Sequence, residues 1–469
     1  MEENGVKILI IGGGAAGLSA AATAAEAGAC VVLWEASESF GGNGRFAEGV
    51  FAAGSALQKR LNIDADPVKL FREAMEYSHW RSDARLTREL IRRSGETVDW
   101  LCGLGVPFCR VIHHMVNQSP EVFHMTAKTP TGRFVVERLE QRCRELGVDM
   151  RTNTRAKRLI LRDGAVCGAE AEQGDVCEAD AVLLATGGMA GEPALIRQLM
   201  PSFEAEKYMH FKGLYHHADG LLLAQQAGAR AQRDLAIEGA GPVFCGRGPV
   251  GALVRSEDGI WVNILGERFC DESIAMDFIF GQNAVARQPE KRCFAVFDAN
   301  TVKRFMDSAP SPMADMDATD NGFSMLPQAL ENAVAEGTVF SADTPEALAQ
   351  AMGVDADVFC AALGEYNAAC RAGVDELFDK PKRCLYPIET APLYAAKAGL
   401  DMITVHGGVP IDWKMRVLGA DGRPITGLYC AGIDASGIDS GDYSVTLSGH
   451  AFGFSLTGGR AAVQNMMNE

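Results

Sequence analysis

The chain has 469 residues, 47% of them hydrophobic and 22% charged, with a net charge of −17 at neutral pH. That length exceeds one simple core and suits two domains, one inserted in the other. The acidic balance argues against nucleic acid or an anionic membrane as partner, since either requires a basic surface, and no unbroken apolar run reaches spanning length.

Val6 to Ile11 is a short apolar run, as expected of a parallel strand buried on both faces. The chain then turns on Gly12, Gly14 and Gly17, the spacing G-x-G-x-x-G. The first glycine permits a tight turn, the second lets a pyrophosphate approach the backbone, and the third lets helix and strand pack closely. Ala15 to Ala27 reads as a small-residue helix whose N-terminal amides face the phosphates, and Gly28 ends it. A second strand, Cys30 to Trp34, delivers Glu35, 18 residues beyond Gly17. An acid at that distance holds a ribose hydroxyl and disfavours a 2′-phosphate, so the segment reads as dinucleotide-binding.

Next comes SESFGGNGRFAEGVFAAGS, a loop whose glycines imply close approach of backbone to something flat or charged. Leu57 to Leu104 is mainly helical by its apolar spacing, and Arg133 to Leu146 forms another amphipathic helix. A three-stranded meander is expected from Ala156 to Leu161, Val166 to Glu172 and Ala181 to Ala185. It ends in a second glycine turn, Thr186-Gly187-Gly188, and ligands sit at such strand ends in open α/β sheets. From Ile237 to Ile403 short strands mix with helices, the pattern of an inserted domain. A last strand, Gly427 to Ile433, precedes a glycine-rich loop and a closing helix over Gly449 to Met467. The expected fold is α/β: a discontinuous Rossmann-like domain of residues 1–236 and 404–469, with an inserted α+β domain of residues 237–403. Thirteen scattered cysteines without a C-x-x-C pair, and no leader pattern ahead of the first strand, favour reduced thiols in the cytoplasm. They also argue against a disulfide framework or an iron–sulfur cluster.

Read in order, the Gly12-Gly14-Gly17 turn with Glu35, then GGNGRFAEG, LLATGG, HADGLLLAQQAGA, IWVNILGERFCDE, EYNAACRAGVDELF, HGGVPID and GLYCAGIDASG form a set. This set resembles the flavoprotein family of fumarate reductases and succinate dehydrogenases, with its soluble flavocytochrome c and ketosteroid dehydrogenase relatives. The resemblance implies FAD and a capping role for the inserted domain. By position it puts Gly12, Gly14, Ala16 and Gly17 at the pyrophosphate, Glu35 at the adenosine ribose and the Ala156 backbone at the adenine. Gly42, Asn43, Gly44 and Gly49 would line the reactive flavin edge, and Thr186 and Gly187 the ribityl side. Ser448 and Gly449 would face the pyrimidine carbonyl; Asp219, Gly432, Asp434 and Leu447 complete the implied FAD set. Covalent attachment uses a histidine after the GGN loop, and none stands there, so the flavin is expected to be non-covalent.

The pattern breaks at the proton relay. Arg255 keeps the distal arginine, but Ala252 stands at the glutamate, Met276 at the proton-donating arginine and Thr446 at the carboxylate-clamping arginine. A thioether delivers no proton, and planar recognition of a second carboxylate needs the lost guanidinium. Tyr443, His406 and His450 are the replacement candidates, in segments that border the flavin in the family. His113, His114 and His124 match no standard metal spacing and read as a substrate-facing loop. The expected activity is FAD-dependent reduction of an α,β-unsaturated ketone or monocarboxylate, with a separate donor protein, reduced flavin or ferredoxin supplying electrons. The alternatives are the reverse desaturation of a ketone and a non-catalytic, electron-carrying flavin subunit.

Overall fold

The computed structural model describes residues 5–113, 121–128, 130–201, 203–204, 207–210, 216–230, 235–307 and 325–468. The chain folds as two compact units, one of Met1–Ala205, Lys212–Glu238 and Ile403–Glu469, the other of Glu206–Phe211 and Gly239–Met402.

The first unit is built on a six-stranded sheet in the order Arg416–Leu418, Pro424–Cys430, Ala181–Leu184, Lys7–Ile11, Cys30–Trp34, Asp149–Arg151. All neighbours are parallel except the first pair, with Ile8 opposite both Val31 and Ala181. Ile8, Leu9, Ile10 and Leu33 are fully buried, which is why these strands read as unbroken apolar runs. The meander is therefore different from the expectation in one strand. Its third member is Val176–Glu178, which alternates exposed and buried, whereas Ala181–Leu184 is buried throughout and enters the central sheet. A strand covered on both faces cannot sit in a half-exposed antiparallel sheet.

Helix Ala15–Glu26 packs against the closing helix His450–Met466, and both are small-residue helices for a steric reason. A Cβ on Gly17 would lie 1.8 Å from the Gly12 carbonyl oxygen, and one on Gly459 would lie 2.2 Å from that of Ala16. Local signals start three further helices: Ser55 and Gln58 form a capping box, and Asp66 and Asp83 cap Pro67–Tyr77 and Ala84–Gly103.

The second unit centres on the antiparallel strands Ile260–Asn263 and Cys293–Asp298, the latter paired to Leu393–Ala398. Its apolar core contains Ile260, Val262, Val296, Phe359, Leu363 and Tyr366. Beside it lies a buried ion network. Arg268 pairs with Glu272 at 2.8 Å and Asp375 at 2.8 Å, and Lys380 reaches Glu272 at 3.1 Å. The GERFCDE segment thus supplies Arg268 and Glu272 to this network.

Candidate active site

The strand ends and glycine turns of the first unit bring most of the predicted residues onto a few loops. Gly12 has a φ of +106°, and a Cβ there would lie 2.2 Å from the Ala185 carbonyl oxygen. Gly14 begins the first helix without a side-chain cap, and a Cβ on it would meet nothing within 4 Å. An uncapped helix start with open space beside it suits a diphosphate. Glu35 is buried and accepts from the backbone N–H of Gly13 at 2.7 Å and of Ser37 at 2.8 Å. It fastens the phosphate turn to the second strand and keeps lone pairs for a ribose hydroxyl. Glu35→Ala is expected to weaken FAD binding at least about tenfold, since a hydrogen bond to a charged group contributes about 1.5 to 3 kcal/mol. Fluorescence titration with FAD measures this, and an unchanged Kd would place Glu35 away from the ribose.

The GGN loop forms a short 3₁₀ turn, Gly42–Phe46. There the Asn43 amide donates to Nε2 of His216, whose imidazole is pushed down to about 4, chiefly by burial. Two glycines of this loop are crowded: a Cβ on Gly44 would lie 3.0 Å from Phe452, and one on Gly49 2.3 Å from Phe123. The second glycine turn is locked by Asp434. Its carboxylate accepts from Thr186 N at 2.6 Å, Thr186 Oγ1 at 3.0 Å, Gly187 N at 3.0 Å and Gly188 N at 2.9 Å. Thr186 Oγ1 in turn accepts from Gly220 N at 2.7 Å. Asp434 therefore shapes the turn, and Asp219 is held by Arg155 through bonds of 2.9 and 2.7 Å. Ala156 pairs with Ala171 in the meander, and a Cβ on Gly432, which has a φ of +81°, would lie 3.1 Å from that of Ala16. Leu447 ends a 3₁₀ turn, Ser448 Oγ donates to Val445 O, and Gly449, with a φ of +80°, starts the closing helix.

That helix start lies in a buried cluster of ionisable side chains. His450, in its first turn, has Nδ1 3.0 Å from Leu447 O and Nε2 2.9 Å from Asp439 Oδ2. His406, the last residue of strand Leu393–His406, has Nδ1 2.9 Å from the same Asp439 oxygen and Nε2 2.9 Å from Glu238 Oε2. Tyr443 stacks on His450 with ring centroids 4.4 Å apart and meets His406 edge-on at 5.1 Å. Because both nitrogens of His406 face carboxylates, both donate. Burial opposes the charged ring, but bonds to Asp439 and Glu238 outweigh it and raise His406 to about 9. Burial likewise opposes ionised Asp439, yet His450 and His406 hold its carboxyl far below the usual range. Burial and the nearby carboxylates of Glu238 and Asp439 push the Tyr443 phenol well up, so it stays a neutral donor.

His406, Asp439 and His450 bring metal-ligand atom types within 4.8 Å of one another, but their ring nitrogens are engaged by oxygen acceptors.

Arg255 follows helix Val250–Val254 in the second unit, its guanidinium 5.4 Å over the Phe278 ring. Ala252 is inside that helix, Met276 ends the 3₁₀ turn Glu272–Met276, and Thr446 Oγ1 is 2.8 Å from Ser444 Oγ. His124 is buried against Ser55 Oγ at 2.8 Å and Val122 O at 3.0 Å, its imidazole lowered to about 4 mainly by burial. His113 is 3.6 Å from Glu121, and His114 lies outside the described residues. Sequence reasoning missed Glu238, Asp439 and His216. Glu238 had a signal, a lone carboxylate in the apolar strand AIEGAGPVF; Asp439 stood among glycines and serines with none.

Comparison with known proteins identifies the family. The model of the FAD binding domain family matches residues 7–443. The chain is 30% identical over 472 positions to the vinyl phenol reductase of Lactiplantibacillus plantarum, covering 97% of this chain and 94% of that protein. It is 28% identical to a fumarate reductase (cytochrome) of Shewanella frigidimarina, covering 97% and 76%. In fold it is similar to a 3-ketosteroid-delta4-(5alpha)-dehydrogenase from Rhodococcus jostii solved with 4-androstene-3,17-dione, with a TM-score of 0.76, 23% identity and coverage of 98% and 96%. Among the described residues no helix is long and apolar enough to cross a membrane. The open helix start at Gly14, the carboxylate of Glu35 and the crowded glycine turns fit FAD, and the chain belongs to the FAD binding domain family as an FAD-dependent oxidoreductase.

Proposed function

We propose that the protein reduces a carbon–carbon double bond conjugated to a single oxygen-bearing group: an α,β-unsaturated ketone, a monocarboxylate or a vinyl phenol. The observation that carries this reading is the buried Glu238–His406–Asp439–His450 cluster with Tyr443 stacked in it; the resemblance adds that Thr446 stands where the family's second carboxylate clamp would be. The vinyl phenol reductase likeness supports it, because protonating the terminal carbon of a vinyl phenolate gives a quinone methide that accepts hydride and returns the charge to its oxygen, as an enone does. Reduced FAD, bound without a covalent link, supplies the hydride. Tyr443, kept neutral, donates to the substrate oxygen and stabilises the negative charge that grows there. The charged His406 is the proton store for the other carbon. Arg255 would act at most from the second unit, and the inserted unit would close over the substrate as a cap. All thirteen cysteines are free thiols, which favours a reducing cytoplasm, and one glycine-rich nucleotide turn favours electrons from a separate donor.

Anaerobic, photoreduced enzyme mixed with a panel of acceptors tests this by flavin reoxidation. Fumarate should react at least about 100-fold more slowly than an uncharged or monoanionic acceptor, since losing one buried charge contact costs about 3 to 5 kcal/mol. Rapid oxidation by fumarate would contradict the assignment of position 446. Inertness toward every acceptor would favour the electron-carrying subunit.

A further inference from the structure

The cluster is sealed except at one member. The side chains of Asp439 and His450 are 1% exposed and that of His406 6%, while Glu238 is 19% exposed. We infer that Glu238 is the exit of a proton relay, His406–Glu238, which delivers the proton to the carbon of the double bond that does not take the hydride. This rests on the reductase reading above.

His406 is faced by Glu238 from strand Ala236–Phe244, by Asp439 and Tyr443 from the glycine-rich loop, and by His450 from the closing helix. His216 adds a weaker charge interaction. The two carboxylates outweigh burial and the neighbouring rings, so His406 carries both protons at neutral pH. Moving the Nε2 proton along the 2.9 Å bond leaves neutral His406 and a neutral carboxyl on Glu238. That carboxyl gives its proton to one carbon as the other receives a hydride with its electron pair from reduced FAD. The π bond breaks, two C–H bonds form, FAD is left oxidised by two electrons, and Glu238 returns to carboxylate. Water then reprotonates His406 through Glu238, the most exposed of the four ionisable side chains. Asp439 is a positioning residue: by accepting from Nδ1–H it aims Nε2 at Glu238. The arrangement takes the place of the missing arginine donor with groups from the FAD-binding unit alone.

Selective ¹⁵N-histidine labelling of the FAD-bound protein reads the relay without turnover. In the wild type the His406 ring should titrate near pH 9. Glu238→Gln keeps the size and a hydrogen bond but cannot pass a proton, and there the titration should fall by about one to three units. The same variant, with FAD content and melting unchanged, should lose turnover about 100-fold with little change in KM, and Glu238→Asp should recover part of it. An unmoved titration, or Glu238→Gln turning over like wild type, overturns the relay. Wild type inert toward every acceptor overturns the reductase reading instead, a result distinguishable because failure of the relay alone leaves wild-type turnover intact.

Discussion

Arg268→Met is expected to destabilise the second unit by about 3 to 5 kcal/mol, the cost of removing one partner from a buried charge pair. The side chains of Arg268, Glu272, Asp375 and Lys380 are all within 4% of full burial. Burial opposes the guanidinium charge, but Glu272 and Asp375 outweigh it and hold Arg268 above its usual range. Methionine fills similar volume and leaves two buried carboxylates facing one ammonium. Lysine would not restore the site, because Arg268 binds Glu272 through two nitrogens, 2.8 and 2.9 Å from its oxygens. Urea unfolding followed through Trp261, a fully buried neighbour whose backbone N–H donates to Glu272, reports on this unit. A loss below about 1 kcal/mol, the size typical of a surface pair, would show that the network is not the fastener.

Asp439→Asn is expected to cost the first unit a similar 3 to 5 kcal/mol by about the same reasoning, with a pH dependence that identifies the cause. The carboxylate accepts from His406, His450 and Ser444 N, so an amide group there would set N–H against N–H whichever way it turned. His406 titrates near 9 in the folded protein, against about 6.5 for an unfolded histidine. Its stabilisation is therefore fully present below about pH 6.5 and is lost as the pH rises through 9. Asp439 is depressed, so its stabilisation is present above its unfolded value, about 3.9, and is lost as the pH falls toward its lower folded value. The deficit of the variant should be largest between about pH 4 and 6.5 and shrink toward pH 9. Denaturant titrations at pH 5, 7 and 9 measure it, and an equal deficit at all three would mean that charge in this cluster contributes nothing.

Much of this was legible because the causes are local. A buried parallel strand needs an apolar run, and a turn with a φ of +106° against a carbonyl needs glycine; Lys7–Ile11, Gly12 and Gly17 record both in the sequence. Ser55, Asp66 and Asp83 likewise announce the helices they cap, within three residues of the amides they serve. Tyr443, His406 and His450 could be named as candidates, but their arrangement around one carboxylate could not.

What the sequence determined by itself was the nucleotide turn and the order of elements. Only the tertiary structure decided that Ala181–Leu184 leaves the meander for the central sheet, since its partners there, Lys7–Ile11 and Pro424–Cys430, lie far away in sequence. Only it joined Glu238 to His406 across 168 residues, and gave Asp439 to two histidines at once. The physical reason is that a charge shift depends on distance and burial, and neither is a property of a residue's neighbours in the chain.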